Sequence, residues 1–127
     1  MSTDNRPPII AVDFDDTLVK GAWPGIGETR KHVLEWVLRM QARGAKIILW
    51  TNRTDEKLDA AVEWCEQQGI VLAAVNDNLP ELIEFFGNNP RKIFANIYLD
   101  DRARGLGSFS LAETYLVEAR DRGWNLT

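Results

Sequence analysis

Three carboxylates, Asp13, Asp15 and Asp16, crowd into four positions directly after the apolar run Ile9-Ile10-Ala11-Val12. Like charges this close repel and resist burial, so folding alone does not favour them there. They need a cation or a chemical task. Side chains alternate faces along an extended strand, so Asp13 and Asp15 are expected on one side and Asp16 on another. Paired carboxylates at the carboxyl end of a central strand occupy the position where open α/β sheets place their active sites. The plainer reading is an acidic turn that caps the next element. Two other apolar runs also end in polar, reactive residue types. Ala45 to Trp50 leads into Thr51-Asn52-Arg53, and Ile93 to Leu99 leads into Asp100-Asp101.

The elements that must position these residues are readable from periodicity. Ile9 to Val12, Ala45 to Trp50, Ile70 to Val75 and Ile93 to Leu99 are short runs rich in β-branched and apolar residues, the signature of buried strands. Between them, Glu28 to Arg43 carries Val33, Leu34, Trp36, Val37 and Met40 at helical spacing and stops at Gly44. Asp55 to Gln68 repeats the pattern and stops at Gly69. Asn76-Asp77-Asn78 reads as a turn or cap before Pro80, which opens a short helix to about Phe86. A last helix is expected from about Ser110 to Arg122. Leu18 to Gly27, with three glycines and Pro24, is loop chemistry. Trp23 and Ile26 make it apolar enough to fold back as a flap. Strands alternating with helices predict a three-layer αβα, Rossmann-like parallel sheet. Residues 1–8 read as a flexible lead-in and 9–127 as one domain.

Asp13-Phe14-Asp15-Asp16-Thr17 resembles the first motif, Asp-x-Asp-x-Thr, of the haloacid dehalogenase-like (HAD) hydrolases. Thr51 matches that family's Ser/Thr motif, Lys92 its basic motif and Asp100-Asp101 its acidic motif. The resemblance runs from Ile10 to about Arg102. It implies that Asp13 attacks phosphorus and becomes an aspartyl phosphate, a legitimate covalent catalyst. Asp15 would protonate the leaving alkoxide and then activate water. Mg²⁺, a hard cation that keeps several waters, would be held by Asp13, the Asp15 carbonyl and Asp100, with Asp101 joining through water or holding the others in place. Thr51 and the Asn52 backbone N–H would bind the phosphoryl group. Lys92 would neutralise its charge. Lys92 lies nearer to Asp100 than the family's spacing suggests, and Arg53 competes with it as the phosphate-binding cation. No interval is long enough for the cap domain of larger relatives, so the resemblance implies a capless phosphatase with an open site.

The 127 residues suffice for one core; 45% are hydrophobic and 27% charged. A net charge of −4 without a dense basic patch does not favour nucleic acid as a partner. No apolar run approaches the ~20 residues of a membrane span. The first residues lack a signal peptide's basic start and apolar core. The single cysteine, Cys65, forms no internal disulfide and fits a reducing, cytoplasmic setting. It falls on a helical apolar face and reads as a small core residue rather than a nucleophile. His32 reads as a surface histidine. The five tryptophans supply either core or an interface between copies of the chain. The expected partner is a phosphorylated substrate, small or macromolecular. Two other classes compete with the phosphatase. One is a phosphoacceptor receiver domain, whose acceptor ends the third strand and here would be Asp77. The other is a binding module that keeps the fold without catalysis.

Overall fold

The computed structural model describes residues 7–100. Asp101, the following loop, the helix expected over Ser110 to Arg122, and Trp124 lie outside the described residues. The element order is β1 (Ile9–Val12), α1 (Lys31–Ala42), β2 (Lys46–Leu49), α2 (Asp55–Gln67), β3 (Leu72–Val75), α3 (Pro80–Phe86) and β4 (Ile97–Leu99). The four strands form one parallel sheet in the order β3-β2-β1-β4. This is the α/β, Rossmann-like arrangement that the alternating pattern predicts, and no described helix is long and apolar enough to cross a membrane.

Alternation along β1 divides the core into two layers. Ile10 and Val12 join Ile47 and Leu49 in a large cluster with Trp36, Met40, Ala61 and Cys65 from α1 and α2. Ile9 and Ala11 face the other way, into a smaller cluster with Leu79, Leu82 and Ile93. Hence α1 and α2 cover one face and α3 covers the other. The topology requires this. The chain steps outward from β1 to β2 to β3 over one face, then returns past β1 to β4 over the other. Trp36 is core, whereas Trp23 is largely exposed.

Cys65 is fully buried in the larger cluster, and desolvation followed by the charge of Glu66 pushes its thiol up to about 12. Only a thiolate is nucleophilic. Native protein at pH 8 is therefore expected to leave Ellman's reagent unreacted, with one thiol appearing on denaturation. Rapid titration of native protein would contradict its placement in the core.

Most boundaries shift by one or two residues from the periodicity, and two shift further. The helix expected from Glu28 begins at Lys31 because residues 28–30 close the flap instead. Lys20 N–H donates to the Glu28 carbonyl at 2.8 Å, Arg30 N–H donates to the Leu18 carbonyl at 2.8 Å, and Val19 bridges Thr29 antiparallel. The fourth strand shrinks from Ile93–Leu99 to Ile97–Leu99. Phe94 N–H is taken by the Asn78 side chain at 2.7 Å and Ala95 N–H by the Tyr98 hydroxyl at 3.2 Å, so both amides leave the ladder.

The flap depends on one glycine for space. A Cβ on Gly27 would sit 1.9 Å from the Lys20 carbonyl oxygen. Gly27→Ala is expected to force the hairpin apart and destabilise the protein by about 1–3 kcal/mol. Urea melts and amide exchange over residues 20–28 measure this; unchanged protection in the variant would refute it.

Candidate active site

The site is built from strand ends. Val12 pairs with Leu49 on one side and Leu99 on the other, so the residues that follow emerge at one edge of the sheet. Asp13 N–H donates to the Leu99 carbonyl at 2.8 Å, and Trp50 N–H donates to the Val12 carbonyl at 2.9 Å. Asp13 and Asp100 thus follow adjacent central strands, and Thr51 lies two residues beyond the neighbouring end of β2. The strand order reverses between β1 and β4. Loops diverge at such a point and leave a crevice, where open α/β sheets bind ligands.

Asp13 and Asp100 are both half-buried. The Thr17 hydroxyl, itself fully buried, donates to Asp13 Oδ2 at 3.3 Å and orients that carboxylate. Sequence reasoning gave Thr17 no role, although its place four residues on, inside a turn, was the available signal. That turn is tight: the Phe14 carbonyl accepts from Thr17, Leu18 and Val19 N–H. Phe14 anchors it in the core, edge-on to Trp64 at 5.5 Å between ring centroids. Asp16 does turn away. It is exposed, at φ 63°, and its Oδ1 accepts from Gly21 N–H at 2.8 Å to start the flap. Asp tolerates this left-handed conformation better than most residues.

Thr51 is held on both sides. Its N–H donates to Asn76 Oδ1 at 2.8 Å, and its Oγ1 accepts from Arg53 N–H at 3.1 Å. That acceptance leaves the hydroxyl proton to donate outward. Thr51 does not cap α2; Thr54 occupies that position. Asn52 is exposed. Trp50 is 37% exposed and meets Tyr98 across β1, with ring centroids 5.5 Å apart and planes tilted by 59°.

Arg53 is placed differently from the sequence expectation. It is 1% exposed and forks onto Asp15, with Nε to Oδ2 at 2.8 Å and Nη2 to Oδ1 at 2.7 Å. Its guanidinium is embedded in the protein instead of presenting donors to a phosphate, because Asp15 and backbone carbonyls take them. Both Asp15 oxygens are bound in turn.

Lys92 lies in the loop before β4. Buried Asn78 staples that loop: its Nδ2 donates to the Lys92 carbonyl and to Asn89 Oδ1, both at 3.0 Å. Asn89 Nδ2 donates to Asp77 Oδ1 at 2.7 Å. That bond, then the Asn78 N–H, holds the Asp77 carboxyl below the usual carboxylate range. The Lys92 side chain is exposed and lines an apolar cleft of about 390 Å³ with Leu82, Phe86 and Tyr98. None of Asp13, Asp15, Thr51 and Asp100 lines that cleft. The structure therefore gathers Asp13, Asp100 and Thr51 at one edge, ties Asp15 to Arg53, and places Lys92 on a separate loop at a cleft that none of those four carboxylate and hydroxyl residues lines.

Among the described residues no three His, Cys, Asp or Glu side chains gather as a ready metal cage. The donors on adjacent strand ends, Asp13 and Asp100, are hard oxygens. That pair suits Mg²⁺, which is commonly bound through one or two carboxylates and keeps waters for the rest.

Fold and strand-end chemistry together define an α/β protein with a carboxylate-lined site at a topological switch point. No family model and no curated protein matches the chain. Among solved structures it is similar to a conserved protein of Bacteroides thetaiotaomicron, with 33% sequence identity over 94% of each chain and a TM-score of 0.72. The chain belongs to the same family as that Bacteroides protein.

Proposed function

We propose that the chain is a Mg²⁺-dependent phosphomonoesterase of the HAD-like type, capless and working through an aspartyl phosphate on Asp13. The observation that carries this reading is the placement of Asp13 and Asp100 on adjacent strand ends at the switch point, with Thr51 alongside. Asp13, oriented by Thr17, attacks phosphorus as the ester oxygen leaves. Asp15 gives that oxygen its proton. Asp15 then takes a proton from water, which attacks the phosphorus of the aspartyl phosphate, frees inorganic phosphate and regenerates Asp13. Thr51 donates its hydroxyl proton to a phosphoryl oxygen, and the Asn52 N–H is a second donor. Mg²⁺ held by Asp13 and Asp100 would offset the repulsion between an anionic nucleophile and an anionic phosphoryl group. Lys92 remains the candidate phosphate-neutralising cation, since Arg53 is committed to Asp15.

The link from β1 to α1, residues 13–30, holds only the catalytic turn and the flap, and the link from β3 to β4 holds only α3 and a loop. An open site of this kind suits a phosphorylated substrate with a bulky leaving group. The receiver alternative needs Asp77 beside the acidic pair. Yet β3 is separated from β1 by β2, and Asp77 Oδ1 is occupied by Asn78 and Asn89. The test is release of phosphate from an aryl phosphate with Mg²⁺ and with chelator. Metal-dependent turnover is expected; none across a panel of metals and phosphate esters would overturn the proposal.

A further inference from the structure

We infer that Arg53 is a positioning residue that couples the flap to Asp15, so that the seat of the flap sets the orientation of the acid/base carboxylate. This rests on the proposed role of Asp15. A guanidinium carries five N–H donors in a rigid plane, and here each direction is matched. Nε and Nη2 take Asp15 at 2.8 and 2.7 Å. Nη2 also donates to the Gly25 carbonyl at 2.7 Å. Nη1 donates to the Pro24 carbonyl and, from α2, the Lys57 carbonyl, both at 3.4 Å. Two rings also approach the guanidinium carbon, Phe14 at 5.0 Å and Trp23 at 5.1 Å from the ring centroids.

Of these partners, Trp23, Pro24 and Gly25 belong to the flap tip, and Phe14 and Asp15 to the catalytic turn. One buried fork therefore joins the two, with no donor left over for phosphate. Its planarity matters: an ammonium could neutralise Asp15 but could not hold two carboxylate oxygens and three carbonyls in one plane. When the flap lifts, Arg53 loses two carbonyls and a ring, and its grip on Asp15 loosens. Trp23 is 60% exposed, so a bulky leaving group resting on it acts on Asp15 through Arg53. Both Asp15 oxygens sit in the fork that also holds the flap tip, so the seat of the flap and the orientation of the carboxylate change together.

The test compares Arg53→Lys, Arg53→Met and Asp15→Asn in the full chain. Amide exchange over residues 20–27, without substrate, reads the coupling independently of catalysis. It is expected to rise about tenfold in Arg53→Lys and also in Asp15→Asn. In the latter the new amide turns one N–H against the fork, and position 15 acts on the flap tip through Arg53. With aryl phosphate, Arg53→Lys is expected to lower kcat on the order of tenfold to a hundredfold. The inhibition constant of inorganic phosphate should stay within about threefold. Unchanged flap exchange in both Arg53→Lys and Asp15→Asn would overturn the proposal. So would a phosphate inhibition constant raised tenfold with kcat kept, which would make Arg53 a phosphate ligand. Should Arg53→Met fail to fold, the two conservative variants still decide. A wild type that turns over nothing sinks the phosphatase reading, while the exchange experiment judges the coupling separately.

Discussion

Asp13→Asn is expected to remove aryl phosphate hydrolysis by about a thousandfold or more, with the thermal midpoint little changed. Asparagine has the shape of aspartate and still accepts from the Thr17 hydroxyl, which in the wild type bonds Oδ2 at 3.3 Å. Its amide oxygen is too weak a nucleophile for phosphorus. Stability should be little changed, because the replacement is isosteric and keeps an acceptor for the Thr17 hydroxyl. Steady-state rates with a thermal melt of the same sample check both halves. A variant that stays active contradicts the assignment of the nucleophile, and a variant that unfolds contradicts the view that this charge is kept for chemistry.

Asn78→Ala is expected to give the largest loss of stability, about 2–3 kcal/mol, or on the order of 10 °C in Tm. Asn78 is 5% exposed, and its side chain donates to Asn89 and the Lys92 carbonyl and accepts from Phe94 N–H. Truncation strands the Phe94 amide and the Lys92 carbonyl. It also loosens the loop that carries Lys92, so KM for a phosphate ester should rise in the surviving fraction. Differential scanning calorimetry and a substrate titration check this. A melt within about 1 °C of wild type would show that the loop is held by something other than Asn78.

Where the sequence was legible, local physics agreed with the tertiary fold. The Pro80–Phe86 helix matches its expected bounds because proline sets the first turn and Gly87, at φ 76°, the last. The apolar stripe of α1 is buried as its spacing implies. The two largest shifts are places where backbone groups found partners outside the expected element. Residues 28–30 pair with the flap rather than extend a helix, and Phe94 bonds Asn78 rather than β1. In the site, Asp13, Thr51 and Asp100 were visible because each ends a strand. The role of Arg53 was not, since it depends on carbonyls of a flap whose path no periodicity encodes. Asn78 read as one more turn residue in Asn76-Asp77-Asn78. Only the fold shows that it faces inward.

The most direct test of the central claim is to trap the covalent intermediate. Protein quenched during turnover of an aryl phosphate with Mg²⁺, then reduced with borohydride, should carry homoserine in place of aspartate at position 13. Peptide mass spectrometry would locate it there, and the conversion should vanish with chelator. Reduction at Asp77 instead would identify a receiver-like acceptor, and steady turnover with no reduced aspartate would contradict the aspartyl phosphate mechanism.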